Sequence, residues 1–469
     1  MKMRLSIRFR PAALAVTVAL ALAGCAVGPR YQVPAVDTPV AFKEGRGAWV
    51  AGAPADLLER GPWWELFQDP VLNGLAAQVE VSNQNVAAAV ARYAQARALV
   101  AEQRASLFPL VSLNGGADRS GGGGKTPTRS SYQVGIGGNW EPDVWGRLQR
   151  GVESARAGEQ ASAADLQAAR LSAQGELAVD YFNLRELDAA RALQAQTIAG
   201  YERTLRITQN RYDAGIAART DVLQAQTQLA NARAEQLGLE RQRAALEHAI
   251  AVLVGQAPAG FALAPRPAWA GTVPEVPVDV PSTLLQRRPD IAAAERRVAQ
   301  ANAEIGIAQS ALFPSFRLSG SLGAGAASIG DLFSASALAW SLGASLAQTL
   351  FDAGARSARV ESARAGLQEA AARYRQTALD AFRDVEDQLV AASVLQQQLA
   401  LREQAAQAAN LVEQQVLNRY QAGQVGFTEV VQAQVTAHSA RRAVAQALAD
   451  RQVAAVALIQ ALGGGWRGL

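Results

Sequence analysis

The sequence predicts a mainly α-helical protein with a small β part, built from long antiparallel helices and four strands in each chain. Three observations lead to this prediction: a tandem internal duplication, long proline-free stretches with helical patterning, and four short segments in which apolar residues alternate with small or polar ones. Only 6% of the residues are aromatic. This composition favours helices packed closely through small side chains over a bulky globular core.

The duplication is visible as three matches at one offset of 208 residues. Residues 152–158 recur letter for letter at 360–366, 210–215 resembles 418–423, and 220–226 resembles 428–434. A Leu-Phe-Pro triplet recurs at an offset of 205, which indicates a small insertion or deletion between the copies. We predict these segments: a lipoprotein signal peptide 1–24, a lipidated N-terminal segment 25–71, a first repeat 72–256, a Pro-rich linker 257–283, and a second repeat with a short C-terminal tail 284–469.

Proline placement predicts the helices of each repeat. No proline lies between Pro142 and Pro258 or after Pro314, and these windows carry helical patterns of polar, alanine and apolar residues. Residues 145–213 and 353–421 would each form a helix of about 100 Å. Each is followed by a glycine-containing turn and a return helix to about 254 or 462, and shorter helices are expected over about 72–106 and 284–311. Isolated glycines such as Gly175 leave open whether the first long helix is unbroken.

Four segments have the period of β-strands. They cover 110–118, 132–140, 316–324 and 338–346, and the first alternates more weakly than the others. One face of each is apolar and the other is small or polar, which is typical of a transmembrane β-barrel. A soluble antiparallel sheet with one wet face is the alternative interpretation.

Four strands cannot close a barrel, and an open sheet edge is not tolerated in lipid. Two chains would give eight strands and a filled interior, whereas three would give twelve strands and a lumen. We therefore predict a homotrimer with a 12-stranded transmembrane β-barrel that continues into a tube of packed helices.

The N-terminus carries a targeting pattern. A cationic stretch from Lys2 to Arg10 and a short apolar run precede Leu22-Ala23-Gly24-Cys25. This tetrapeptide resembles the lipobox of bacterial lipoproteins, in which Cys25 becomes the acylated first residue and is held by outer-membrane lipid. Val27 replaces the Asp that marks inner-membrane retention, so the resemblance implies outer-membrane sorting. An ordinary signal peptide with a chance cysteine is the alternative.

Composition excludes several functions. Four of the 45 basic residues lie in the first 24 positions, and the other 41 balance 41 acidic residues, so no nucleic-acid partner is expected. One Cys and two His, His248 and His438, exclude disulfide and Cys/His zinc frameworks. The Gly-rich stretch 121–126 imitates a phosphate-binding loop but has Arg119 where the first glycine belongs, and we interpret it as an extracellular loop. We expect no cofactor, no metal and no enzymatic activity.

Taken together, four motifs of this chain resemble those of a known protein family. The lipobox, the Trp-Trp opening at 63–70, the segment 284–291 and the two Arg-Tyr-x-x-Gly tips followed by Thr-Asp/Glu-Val are similar to the NodT-type lipoprotein branch of TolC-like outer-membrane efflux factors. The resemblance implies a trimeric outer-membrane channel with a periplasmic α-barrel in a Gram-negative bacterium. Such a channel docks on a periplasmic adaptor and an inner-membrane pump, usually of the RND class, and is a passive exit duct for drugs or toxic solutes.

The resemblance also implies roles for residues of the two helix tips. Adaptor docking falls on Arg211, Tyr212, Gly215, Arg419, Tyr420 and Gly423. The periplasmic gate falls on Thr220, Asp221, Tyr420 and Glu429, with Glu429 in an acidic constriction ring. Val425 stands where TolC has the Arg of an ion-pair latch. A simpler interpretation of the two acids is that they are solvated first-turn residues favoured by the helix dipole.

Two alternatives to drug efflux remain open from the sequence. One is the outer-membrane duct of a type I protein-secretion system, which shares this architecture and would be distinguished by a neighbouring ABC exporter gene. The other is a lipid-anchored coiled-coil tether without a pore, which would conduct no ions in planar bilayers.

Overall fold

The protein is described by a computed structural model that covers residues 27–44, 62–123, 128–269, 271–274 and 287–464. Within these ranges the α-helices are α1 Pro70–Ser82, α2 Gln84–Ala105, α3 Arg147–Asp213, α4 Arg219–Leu253, α5 Pro289–Ser310, α6 Ala355–Gln421 and α7 Phe427–Ala461. The strands are β1 Leu110–Ser120, β2 Arg129–Trp140, β3 Ser315–Ala326 and β4 Leu338–Ala347. The mainly helical fold with four antiparallel strands is confirmed.

Element lengths repeat with the offsets seen in the sequence. Helices α3 and α6 have 67 residues each, and α4 and α7 have 35 residues each. Helices α2 and α5 have 22 residues each and are separated by the shorter offset of the Leu-Phe-Pro triplets. From α2 and from α5 onward, the two copies therefore build the same succession of one helix, two strands and two long helices.

The single helix expected over about 72–106 was wrong, because the structure divides it at Asn83. The backbone of Asn83 is extended, and its Oδ1 accepts hydrogen bonds from the N–H groups of Asn85 at 2.9 Å and Val86 at 3.1 Å. Its Nδ2 donates to the carbonyl of Leu253 at 2.8 Å. Asn83 thus ends α1 and supplies the acceptor that begins α2, as N-terminal capping residues do.

Helix α3 runs without a break through its isolated glycines. At Gly175 an added Cβ would lie 1.8 Å from Nε2 of Gln460 on α7. The glycine at this position lets the Gln460 side chain lie directly against the α3 backbone, where Nε2 donates to the carbonyl of Leu171 at 3.2 Å. The cost of glycine in a helix interior is about 1 kcal/mol, and packing of this kind offsets it.

Helix α3 begins at Arg147, two residues after the predicted start at residue 145. Asp143 and Gly146 set this start. The Asp143 carboxylate accepts from the N–H groups of Leu148 at 2.9 Å and Gln149 at 2.7 Å. Gly146 adopts a φ of 75°, which favours glycine.

The four strands form one antiparallel sheet in the order β1-β2-β3-β4. One row across the sheet consists of Leu113, Ile136, Leu322 and Trp340, and all four side chains are exposed. The adjacent row points to the opposite face and consists of Ser112, Gly137, Ser321 and Ser341. The alternation read from the sequence is therefore kept in register, with an apolar face and a face of small or polar residues.

The described residues fall into two compact units, one containing the sheet and the other containing the helix ends near 211–221 and 419–429. In the second unit the core lies around the middle of α3, where Leu177, Tyr181 and Phe182 are almost fully buried. Phe182 packs against Phe67 at a ring-centroid distance of 4.9 Å. None of the helices in the described ranges is long and apolar enough to cross a bilayer.

Candidate functional site: the two helix tips

The two tips have the same backbone turn. In the first, the N–H groups of Ala214 and Gly215 donate to the carbonyls of Asn210 and Tyr212 at 3.1 and 2.9 Å. In the second, Ala422 and Gly423 make the equivalent bonds at 3.1 and 3.0 Å. Gly215 and Gly423 have φ values of 73° and 74°. A side chain with a Cβ would be strained at either position, so the repeated Arg-Tyr-x-x-Gly motif encodes a helix-ending turn.

The side chains of the two tips differ where the backbones agree. Tyr420 is only 2% exposed, and it packs in an apolar cluster with Ala225, Phe427 and Val430. Its ring centroid lies 5.9 Å from that of Phe427. Tyr212 occupies the equivalent position in the first tip and is 39% exposed. The duplicated tyrosines therefore have opposite environments.

The hydroxyl of Tyr420 contacts Thr208 on α3. The distance between the Tyr420 Oη and Thr208 Oγ1 atoms is 3.2 Å. Thr208 Oγ1 donates its own proton to the carbonyl of Thr204 at 3.0 Å. A threonine hydroxyl has one proton, so Tyr420 is the donor and Thr208 the acceptor. This bond joins the end of α6 in the second repeat to α3 in the first.

Arg211 contacts Tyr420 in two further ways. Its Nη1 donates to the carbonyl of Tyr420 at 2.8 Å, and its guanidinium carbon lies 4.8 Å from the centre of the Tyr420 ring. Helix α6 ends one residue later, so this carbonyl belongs to the last turn, which lacks partners within the helix. A cation at the C-terminal end of a helix is also favoured by the helix dipole.

The equivalent arginine of the second tip makes no such contact. Arg419 is exposed, and its side chain has no hydrogen-bond or ion-pair partner among the described residues. Tyr212 and Arg419 are therefore accessible at the surface, whereas Arg211 and Tyr420 contact each other.

The predicted gate acids lie at equivalent positions in the first turns of two helices. Asp221 is the third residue of α4 and Glu429 the third of α7. The residues before these helices, Ala218 and Gly426, provide no side-chain cap, so a negative charge in the first turn stabilises exposed N–H groups. Glu429 and Thr220 are exposed and Asp221 is half-buried. The described structure pairs the Tyr420 hydroxyl with Thr208 and not with Thr220 or Asp221, and their role in a gate stays a prediction.

Thr208 was missed from the sequence, and a signal for it existed. The residue equivalent to Thr208 in the second repeat is Val416, which is partly buried beside the cluster around Tyr420. This difference in polarity between two equivalent positions near the tips is the signal that comparison of the repeats offered.

A buried charge network centred on Asp188 was also missed. The Asp188 carboxylate accepts from Arg185 Nη1 at 2.8 Å, from Arg243 Nε at 2.7 Å and from the N–H of Arg266 at 2.9 Å. Arg185 and Asp188 are 1% and 2% exposed. Arg185 and Arg243 also donate to the carbonyls of residues 264 and 263. The network fixes the chain segment after α4 on two helices of the first repeat.

Other expectations concern residues without a described site. Cys25 lies outside the described residues, as do residues 124–126 of the loop 121–126. Among the residues that the structure covers, no group of three or more His, Cys, Asp or Glu side chains could hold a metal ion. The Nδ1 of His438 lies 2.9 Å from Thr197 Oγ1 inside the helix packing, and burial lowers the pKa of this imidazole.

Comparison with known proteins agrees with this architecture. The family model described as outer membrane efflux protein matches residues 75–256 and 280–464. The pyoverdine export outer membrane protein OpmQ of Pseudomonas aeruginosa is 31% identical over 92% of this chain and 94% of its own. The antibiotic efflux pump outer membrane protein ArpC of Pseudomonas putida is 30% identical over 97% of this chain and 95% of its own. The solved structure of the outer-membrane channel OprN superposes with a TM-score of 0.85 at 33% identity, covering 94% of this chain and all of that one.

Proposed function

The chain belongs to the outer membrane efflux protein family, and we propose that it is the passive exit duct of a tripartite efflux system for drugs or toxic solutes. It is an outer-membrane efflux channel of a Gram-negative bacterium with a large periplasmic helical part. The proposal adds three features to this: a homotrimer, a periplasmic adaptor bound at the helix tips, and an inner-membrane pump of the RND class.

The observation that carries the proposal is the sheet. Its order leaves the outer edges of β1 and β4 without a strand partner in the described chain. Its apolar row is exposed: Leu113 is 74% exposed, Ile136 53% and Trp340 73%. Backbone groups cannot remain unpaired in hydrocarbon, so β1 of one chain and β4 of another must pair. Three chains give twelve strands, a number that leaves an aqueous lumen.

The opposite face of the sheet suits such a lumen. Its row of Ser112, Gly137, Ser321 and Ser341 offers small polar groups, and the Ser321 and Ser341 hydroxyls lie 2.8 Å apart. Side chains this short leave the interior of a 12-stranded barrel open to water at the level of this row. This supports a duct that passes solutes without binding them tightly.

The tips are the proposed contact with the adaptor. Their turns are exposed, and the side chains of Tyr212 and Arg419 are available at the surface. Thr220, Asp221, Tyr420 and Glu429 are proposed to control the opening at this end. Acylated Cys25 is proposed to anchor the N-terminus in outer-membrane lipid.

Single-channel recording of the purified full-length protein in planar lipid bilayers tests the proposal. We expect discrete current steps, together with a detergent-stable band of three times the subunit mass that converts to monomer on boiling. A stable monomer that is soluble without detergent, or a membrane-bound protein that passes no current, would contradict it. The second result would favour a lipid-anchored tether.

A further inference from the structure

We propose that each Arg-Tyr motif has one residue in an internal contact and one residue on the docking surface. Arg211 and Tyr420 form an internal clasp that holds the tips of the two repeats together. Tyr212 and Arg419 form the surface that binds the adaptor. The proposal deepens the proposed function, since it assumes that the tips are the docking and gating end. It reassigns Arg211 and Tyr420 away from the direct docking surface.

The first argument is the reciprocal placement of equivalent residues. Arg211 and Arg419 are related by the duplication, as are Tyr212 and Tyr420. The first tip places its arginine against the other tip and leaves its tyrosine 39% exposed, whereas the second leaves its arginine exposed and its tyrosine 2% exposed. Each motif therefore contributes one residue to the internal contact and one to the surface.

The second argument is that Arg211 provides a charged donor where Tyr420 provides a carbonyl acceptor and an aromatic ring. The Tyr420 carbonyl lies in the last turn of α6 and accepts from Arg211 Nη1 at 2.8 Å as well as from the N–H of Gly423 at 3.0 Å. The guanidinium faces the Tyr420 ring, and Nη2 lies close to Gly423. Hydrogen bonds that involve a charged donor are roughly twice as strong as neutral ones. This arrangement holds the end of α6 and its turn through one side chain.

The third argument is burial. Nε of Arg211 is buried without a hydrogen-bond partner in the described structure, a cost that a freely mobile arginine would avoid by turning to solvent. Arg211 keeps this position because its other contacts and the Thr208–Tyr420 bond stabilise the pairing. Any movement of the second tip away from α3 must break all three contacts at once, as a two-state element requires.

The experiment compares variants of the full-length protein by hydrogen–deuterium exchange at residues 417–427. Loss of a charge-assisted bond shifts a local opening equilibrium by about tenfold or more, so Arg211→Gln should accelerate exchange at the second tip by about this factor. Arg211→Lys should restore part of the protection. Arg203→Gln, an exposed change on the same helix, is the matched control and should leave exchange at the wild-type rate.

Thr208→Val provides a second route to the clasp if Arg211→Gln does not assemble, because it removes the acceptor of the Tyr420 hydroxyl and otherwise only the bond from Thr208 to the carbonyl of Thr204 on the same helix. In bilayers, Arg211→Gln and Thr208→Val should raise the conductance of the isolated channel, whereas Arg419→Gln should reduce adaptor-dependent efflux in cells. Unchanged tip exchange in both Arg211→Gln and Thr208→Val would overturn the clasp. Altered exchange in a protein whose wild type conducts no ions would sustain the clasp and refute the proposed duct.

Discussion

Tyr212 and Tyr420 show how a residue's role depends on what faces it. Both follow an arginine and precede a turn glycine, and the backbones around them are the same. Only Tyr420 meets Ala225, Phe427 and the Thr208 hydroxyl, and it is therefore buried. The motif predicts the turn, and the neighbouring helices decide which side chain is enclosed.

Glu429 carries a prediction about ion selectivity at this scale. Its carboxylate is exposed in the first turn of α7, and three copies in a trimer would form a ring that attracts cations. Glu429→Gln should lower the preference for cations, measured as the reversal potential across a salt gradient. The equivalent change in the first repeat, Asp221→Asn, is the comparison, and an unmoved reversal potential for Glu429→Gln would remove the acidic ring.

Asp180 carries a prediction about pH. Burial, together with the neighbouring charge of Glu176, raises the pKa of Asp180 to about 6. The native protein thus binds this proton more tightly than the unfolded chain, whose aspartates have a pKa of about 3.9, and stability falls as pH rises between these values.

Asp180→Asn removes the loss of stability that comes from ionising Asp180 in the folded protein. We expect a higher melting temperature than wild type at about pH 7.5 and a difference that vanishes near pH 4, measured by thermal unfolding in detergent. Glu361→Gln, at an exposed site on α6, is the matched control. An equal gain at both pH values would show that the mutation acts through packing and not through the proton.

At the scale of elements, the Asp188 network distinguishes the two repeats. The positions equivalent to Arg185 and Asp188 in the second repeat are Ser393 and Gln396, so this buried ion pair has no counterpart there. The first repeat uses it to fix the segment that leaves α4. The equivalent helices of the two repeats thus have the same lengths but differ in the ion pairs that their side chains form.

Breaking this network should be costly. Asp188→Asn leaves Arg185 and Arg243 without the charge that compensates them in a buried site, and the loss of unfolding free energy should be about 3–5 kcal/mol. Glu202→Gln breaks an exposed pair with Arg233, whose side chains are 38% and 60% exposed, and should cost about 0–1 kcal/mol. Denaturant unfolding monitored by circular dichroism compares them, and equal losses would mean that the network contributes little.

The sheet offers a paired test of its two faces. Leu322 lies in the exposed apolar row and Ser321 next to it in the polar row. Leu322→Arg places a charge on the lipid face and should cost about 2–4 kcal/mol near the bilayer midplane, so the heat-modifiable trimer should diminish. Ser321→Arg should keep the trimer and change the channel current. Equal effects of the two changes on assembly would contradict the assignment of the faces.

At the scale of the whole molecule, attachment to the membrane has two proposed sources, the barrel and the acyl chains on Cys25. Each buried CH₂ contributes about 0.8 kcal/mol. Cys25→Ser should abolish incorporation of labelled palmitate, while the barrel should keep the protein in the outer-membrane fraction. Failure of the wild-type protein to incorporate the label would refute the lipobox.

The sequence determined the elements of this protein and their order. Proline-free windows and the 208-residue offset predicted both ends of α3 and α6, and the C-terminal ends of α4 and α7, to within two residues, because helix formation follows local periodicity and the placement of Pro and Gly. The alternation of β1 to β4 predicted both faces of the sheet for the same reason. The break at Asn83 was not predicted, because it depends on a side-chain bond to the distant carbonyl of Leu253.

Only the tertiary structure decided which of the equivalent side chains meet. Arg211 and Tyr420 are 209 positions apart in the chain, and Asp188 and Arg243 are 55 positions apart. No local sequence pattern specifies contacts between residues so far apart in the chain. Burial and hydrogen bonding there depend on atoms supplied by other helices. Duplication copied the sequence of the tips, and the packing of one repeat against the other made them different.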